Sequence, residues 1–429
     1  MNQLVESEDY LKIPGPFRAW PATLLEEVYE VLCRKTCSSY YLNILIQPQI
    51  RNFKIQLGSI HYATVFLQQR CPMLENFELT GSIDVIPEFF ISVFSHFPHL
   101  VKINLSGNVI DDRSFETIGI SCHNLQHLNV CGSTIQDAGL RFLSSSKQNI
   151  PRCKKLMHVN LQKTRVSREG VGTLLYFHPQ LTDLLYEDTI GAYSVVKRLA
   201  LENNHKTQFI IMGLANVGEY QVKLLSCHEK RDINTEFNIA LEHNPNFEEI
   251  DIVDSYLRSK ILSSFQSCKH LHSLTIGNND EFAIEFAEGI APIVSACGST
   301  LRKVSLNKIS YVDIELIGKT CNKLEVLTLS HILSYGKIKN LNHRSFCNLE
   351  ELDFLNEYGC HIAHNILKQL LFNSKNLQYL HLQSLDCLDD ILWSQVVRKN
   401  NLTSLVSLTL DQCHYIPGQD IEGRTLLSA

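Results

Sequence analysis

The chain has 429 residues, 44% hydrophobic and 20% charged with a formal net charge of -6, which suits a soluble folded protein of two or three globular domains or one long repeat array. The modest negative charge, without a long Lys/Arg run, excludes the electrostatic footprint of nucleic-acid or anionic-membrane binding. No run approaches the roughly 18 apolar residues of a bilayer span, and the opening MNQLVESEDY lacks the basic start and apolar core of a secretory signal.

Residues 1–20 read as a lead-in containing Pro14 and Pro16. From Pro21 the stretch PATLLEEVYEVLCRKTC places Leu24, Leu25, Val28, Val31 and Leu32 at spacings of three and four. That pattern predicts an amphipathic helix, with Thr23 at its cap and Arg34 and Lys35 near its end. A second short helix is expected over Ser38–Ile46, stopped by Pro48. Residues 21–49 therefore form a helical segment, either a cap for the rest of the chain or a docking element.

From Ile50 onward the chain is written in a frame of apolar residue, two residues, apolar, one residue, apolar. It occurs fourteen times, first at Ile50, Leu74, Leu100, Leu125, Leu156, Leu181, Phe209, Phe247, Leu271, Leu301, Leu324, Leu349, Leu377 and Leu405. Its cleanest copy is LVKINLSGNVIDDRSFETIGISC, where Leu100, Ile103 and Leu105 mark a strand, Asn108 and Ile110 a turn, and Phe115, Ile118 and Cys122 a helix. Neither element can cover its own apolar face, so each needs a copy of itself beside it. The longest step comes after Phe209, and Cys227–Glu236 is expected to be the inserted polar segment; a smaller excess lies near Ser144–Arg152. Cys71, Cys122, Cys153, Cys268 and Cys321 each stand three residues before the first apolar position of a frame, so they read as small buried residues rather than a disulfide framework. Reduced thiols imply a cytoplasmic or nuclear protein. The array is expected over 50–415, with a polar tail over 416–429.

This frame, clearest in CHNLQHLNVCGSTIQDAGL and CNKLEVLTLS, resembles the cysteine-containing, ribonuclease-inhibitor-like leucine-rich-repeat proteins. The resemblance implies an α/β leucine-rich-repeat solenoid, a horseshoe with a parallel sheet on the concave face, helices on the convex face and a short helical N-terminal cap. A crossover helix of about a dozen residues joining parallel strands accounts for the period independently.

Reaction machinery is thin. There is no Gly-rich phosphate loop, no HExxH and no G-x-S-x-G elbow. Cys360, His361 and His364 offer metal-ligand types but no second pair, and packing accounts for them. Cys33 and Cys37 end the amphipathic helix. Cys122-His123, Cys227-His228 and Cys413-His414 are adjacent residues whose side chains diverge, so they build no dyad. The expectation is a protein that is not an enzyme and needs no cofactor or metal; the alternative is a catalytic site in the Cys227–Glu236 segment.

Function is then expected on the surface. Strand positions between the apolar ones face the concave side: Lys102, Asn104, His127, Asn129, His158 and Asn160 early, succeeded by Lys163 and Arg165, then Glu249, Asp251, Glu351 and Asp353, with Tyr379 and His381 near the end. The wall runs from weakly basic and amide-rich to acidic, as in a groove that selects protein partners by charge. In the N-terminal helix, Thr23, Leu24, Val28 and Leu32 resemble the elongin-binding box of cullin ligase receptors, with Val28 where that box has Cys, and Pro21, Leu24, Leu25 and Val28 resemble the start of an F-box, so that Leu24, Leu25, Val28 and Leu32 are the expected adaptor contacts. Pro48 and Ile50 stand where a cullin-selecting motif would come next. The resemblance implies an elongin-type or Skp-type adaptor with a cullin, and a substrate-recognition subunit of a ubiquitin ligase. The alternative is a non-ligase scaffold or inhibitor.

Overall fold

The computed structural model describes residues 17–34, 45–56, 67–81, 87–145, 152–204, 222–229, 232–278, 284–339, 341–355, 364–385, 390–400, 402–413 and 424–425. The chain forms two compact units, Met1–Val222 and Lys223–Ala429.

In the first unit each frame becomes a strand: β1 (Asn52–Gln56), β2 (Asn76–Thr80), β3 (Lys102–Asn104), β4 (His127–Asn129), β5 (His158–Asn160) and β6 (Asp183–Leu185), in that order in one sheet. All five pairings are parallel and in register, so Phe77, Ile103, Leu128, Val159 and Leu184 form one buried row. The return segments are helical: α1 (Ala22–Arg34) precedes β1, and α2 (Pro87–Phe94), α3 (Asp112–Ser121), α4 (Asp137–Ser144), α5 (Arg168–Phe177) and α6 (Thr189–Asn204) come after their strands. Most of the second short helix expected between α1 and β1 lies outside the described residues. Phe115 and Ile118 of α3, Leu140 and Leu143 of α4, and Leu174 and Leu175 of α5 are all fully buried, completing the core behind the sheet.

Polar side chains tie one repeat to the next. The Asp111 carboxylate accepts from Ser114 N–H to cap α3, while Asp112 accepts from the Gly139 N–H of the following repeat. Asn108, placed in a turn by its sequence, is 2% exposed, and its amide donates to the carbonyls of Leu79 and Leu105.

The periodic cysteines form a second ladder. Cys71 Sγ lies 3.1 Å from the Gln47 carbonyl, Cys122 Sγ 3.8 Å from that of Phe97 and Cys153 Sγ 3.6 Å from that of Cys122. At the equivalent place before Leu181 the chain has His178, fully buried, with Nε2 2.8 Å from the Arg152 carbonyl and Nδ1 3.0 Å from that of Leu174. The described cysteines are free thiols.

The second unit repeats the plan. Its sheet has the order β17-β16-β15-β14-β12-β10-β9-β8-β7, comprising β7 (Leu224–Cys227), β8 (Glu249–Ser255), β9 (Ser273–Asn278), β10 (Lys303–Asn307), β12 (Val326–Ser330), β14 (Glu351–Leu355), β15 (Tyr379–Gln383), β16 (Ser407–Asp411) and β17 (Arg424–Thr425). The two-residue strands β11 (Tyr311–Val312) and β13 (Ser334–Tyr335) pair separately.

Two expectations need correction here. The frame at Phe209 lies outside the described residues; a further copy, absent from the sequence expectation, is formed by Val222, Leu225 and Cys227, all fully buried. Cys227–Glu236 is therefore no insertion: Cys227 ends β7, and α7 (Asn234–His243) begins two residues before Glu236. Second, the expected tail contributes β17, which pairs antiparallel with β16, Thr409 opposite Thr425 and Leu410 opposite Arg424. An edge strand that would otherwise offer open hydrogen-bonding groups thus gains a partner.

Candidate functional site

Strand alternation sends every second side chain away from the helices, and parallel register aligns these side chains into rows across the strands. On the first unit one row reads Asn52, Asn76, Lys102, His127, His158, Asp183; the next reads Lys54, Glu78, Asn104, Asn129, Asn160, Leu185. The six residues expected on this wall are therefore brought together.

Their bonding is specific. Each asparagine uses its own Oδ1 to accept the N–H two residues on: Asn104 from Ser106 at 3.2 Å, Asn129 from Cys131 at 3.1 Å and Asn160 from Gln162 at 3.1 Å. That bond fixes which end of the amide points outward, because only oxygen can accept. The Nδ2 groups are left as three in-register donors, with no acceptor among the described residues.

In the neighbouring row the His127 and His158 rings stack, and His158 Nδ1 bonds to the Asp183 carboxylate. Burial, then the His158 and Lys102 charges, push the His127 pKa below that of ordinary imidazole. Glu78 is held by Lys54 at 2.9 Å. Asp183, absent from the sequence expectation, was findable as the next member of the same row.

The second unit carries Glu249 and Asp251 on β8, Glu351 and Asp353 on β14, and Tyr379 and His381 on β15. The last four are adjacent, Glu351 opposite Tyr379 and Asp353 opposite His381. The β8 pair is separated from them by β9, β10 and β12, so the acidic residues form two patches. Between them the row through Asp251 continues as Thr275, Ser305 and Thr328. Burial and the adjacent Asp353 push the Glu351 carboxyl up from its ordinary value. Histidine–carboxylate contacts recur across strands, His228 to Asp251 at 3.3 Å and His381 to Asp411 at 3.1 Å.

The N-terminal helix divides the residues proposed for adaptor contact. Leu25 and Tyr29 are buried at 0% and 4%, whereas Leu24 and Val31 are 40% and 50% exposed and Val28 is half-buried. The sequence expectation of one common apolar face is thus corrected: the inward pair is Leu25 and Tyr29, and Leu24, Val28 and Val31 form a separate outward stripe continued by exposed Trp20. The side chain of Leu32 lies outside the described residues. Thr23 sits within the first turn rather than at the cap.

One clasp holds α1 against the start of β1, and a second ties the segment before α1 to the segment before β1. Glu26 Oε1 accepts from the N–H groups of Arg51 and Asn52 at 3.0 and 2.8 Å, and Gln49 donates to the carbonyls of Arg18 and Trp20. A groove of about 370 Å³ lies beside α1, lined by Glu26, Glu30, Asn52, Lys54, Glu78 and Lys102. Pro48 is exposed and Ile50 is buried.

Lys163 and Arg165 lie in the loop after β5, where the Lys163 N–H donates to Glu187 Oε1. Of the metal-ligand types, Cys360 and His361 fall outside the described residues and His364 is exposed at a helix start. The described residues contain no cluster of three His, Cys, Asp or Glu with metal-binding geometry. No described helix is long and apolar enough to cross a membrane.

No known family profile matches this chain, and no curated protein matches it. Among solved structures the chain is similar to an internalin (inlF) from Listeria monocytogenes, with 14% identity, a TM-score of 0.44, and coverage of 96% of this chain and 99% of that one. It is also similar to the LRR ectodomain of the plant membrane receptor kinase GASSHO1/SCHENGEN3 from Arabidopsis thaliana, solved in complex with CASPARIAN STRIP INTEGRITY FACTOR 2, with 14% identity, a TM-score of 0.45, and coverage of 87% of this chain and 42% of that one.

Proposed function

We propose that this protein works by binding other proteins, as the substrate-recognition subunit of a cullin-type ubiquitin ligase. The open faces of its sheets hold the substrate, and the outward stripe of α1 grips an elongin-type or Skp-type adaptor. The observation that carries the adaptor half is the division of α1: Leu25 and Tyr29 are buried, yet Trp20, Leu24 and Val31 remain exposed beside them. Large apolar side chains grouped on an outward helix face mark contact surfaces. The polar rows of the sheets support the substrate half, since they present fixed donors and acceptors on rigid strands. The free thiols of the described cysteines support a cytoplasmic or nuclear setting.

A second reading is a scaffold or inhibitor in which α1 only caps the array. The Glu26 clasp favours it, because it covers the start of β1 and would be needed without any adaptor. Affinity capture from cell extract separates the two. The ligase reading expects an adaptor and a cullin with the wild-type chain, lost on Leu24→Asp with the fold intact. Absence of both from the wild-type capture, or equal recovery with Leu24→Asp, defeats it.

A further inference from the structure

The open face of the first unit's sheet is unusual in the sign of its hydrogen-bonding groups. Asn104, Asn129 and Asn160 stand on consecutive strands in register, with oxygens turned inward to backbone N–H groups. Lys102 is exposed on the adjoining row, where it precedes His127 and His158. The two carboxylates at the ends of this strip are engaged, Glu78 by Lys54 and Asp183 by His158. The strip thus offers three amide donors and the Lys102 ammonium, with its two carboxylates already paired. Leu185, 37% exposed, comes after Asn160 at the end of its row.

We propose that the face of β3–β5 binds an extended acidic peptide segment of a partner protein, its carboxylate and carbonyl oxygens received by the Asn104, Asn129 and Asn160 amides and by Lys102. This rests on the reading that the open face is the binding surface, and it adds the chemistry of what binds. Strands about 4.8 Å apart put Asn104 and Asn160 about 10 Å from each other, the span of about three extended residues. The segment is therefore short, with two or three acidic residues and an apolar residue placed to reach Leu185. An acidic ligand also complements Lys102 and any proton taken up by the histidines, while a basic one would meet unpaired donors and repulsion.

The test is fluorescence anisotropy on the full chain with two labelled peptides, Gly-Ser-Glu-Glu-Glu-Leu and Gly-Ser-Gln-Gln-Gln-Leu. The glutamate peptide is expected to bind at least about tenfold tighter and to weaken as salt rises. Asn129→Asp keeps the oxygen that bonds Cys131 N–H, removes the outward donor and adds a negative charge. It should weaken the glutamate peptide about tenfold or more, a change consistent with loss of one charge-assisted hydrogen bond. Lys102→Gln, a surface change that does not touch the asparagine turns, should weaken it several-fold. Equal affinity for the two peptides overturns the proposal, as does a glutamate affinity indifferent to both substitutions in chains whose melting is unchanged. The broader reading falls separately, if substitutions across both open faces leave capture of a purified partner unaltered.

Discussion

The imidazole of His127 lies flat on that of His158, ring centroids 4.1 Å apart and planes within 1° of parallel, on adjacent strands of the first unit. Two imidazolium ions at this distance would repel each other, so the first proton taken up makes the second harder to add. Burial, His158 and Lys102 all disfavour charge on His127, outweighing the opposing pull of Asp183. Its folded pKa is therefore below the unfolded value of about 6.5. Stability from neutral His127 is present above that value and is lost as pH falls through it, because the unfolded chain takes up the proton first. A histidine-ring titration by NMR should find His127 titrating low, and His158→Gln should raise it; a downward or absent shift on His158→Gln would sink this account.

The cysteine ladder makes a prediction about reactivity. Burial pushes the Cys71 and Cys153 thiols up to about 12 and those of Cys268 and Cys321 up to about 11, and drives Cys122 upward as well. Thiolate is the reacting species, so these positions should be inert near neutral pH. Among the described cysteines, a brief pulse of N-ethylmaleimide on the native protein, read by peptide mass spectrometry, should label half-exposed Cys131, Cys347 and Cys413 first. Prompt labelling of Cys122 or Cys153 would mean that the ladder opens easily.

Much of this fold was legible because a repeat states its pattern many times. Ile103, Leu128 and Val159 could be read as one buried row before any strand was seen, and the residues between them as the opposite face. The copy that went unread has a physical cause: Val222, Leu225 and Cys227 replace two leucines of the frame with smaller residues and are less conspicuous. Helix α1 misled differently. With Leu24, Leu25, Val28 and Val31 all apolar, hydrophobicity cannot say which side is inward; Glu26 settles the rotation by bonding the start of β1, a contact between residues 25 and 26 positions apart. The asparagine rows were visible as residues, but the direction of their amides depends on turn bonds that composition does not encode.

Substitution of the two adjacent leucines should separate packing from contact. Leu25→Asp places a carboxylate in a fully buried position and should destabilise the first unit by about 3 kcal/mol or more. Leu24→Asp changes a side chain 40% exposed and should stay within about 0.5 kcal/mol. Urea denaturation followed by circular dichroism measures both. Equal losses would show that α1 is seated differently.

A last prediction concerns the close approach of α5 and α6. A Cβ added at Gly172 would stand 2.4 Å from Val195 Cβ and 2.7 Å from the Ala192 carbonyl oxygen. Alanine is the better helix former by about 1 kcal/mol, so at an open position Gly172→Ala would stabilise α5. Here the obstacle includes a backbone oxygen of the neighbouring helix, which cannot turn aside as a flexible side chain can. Overpacking of this kind costs about 1–3 kcal/mol, and the clash outweighs the propensity gain. Gly172→Ala should therefore lower the melting temperature, and adding Val195→Ala, which trims the nearest side chain, should recover part of the loss. A melt raised by Gly172→Ala, or a double variant showing no recovery, would place the helices farther apart than this packing requires.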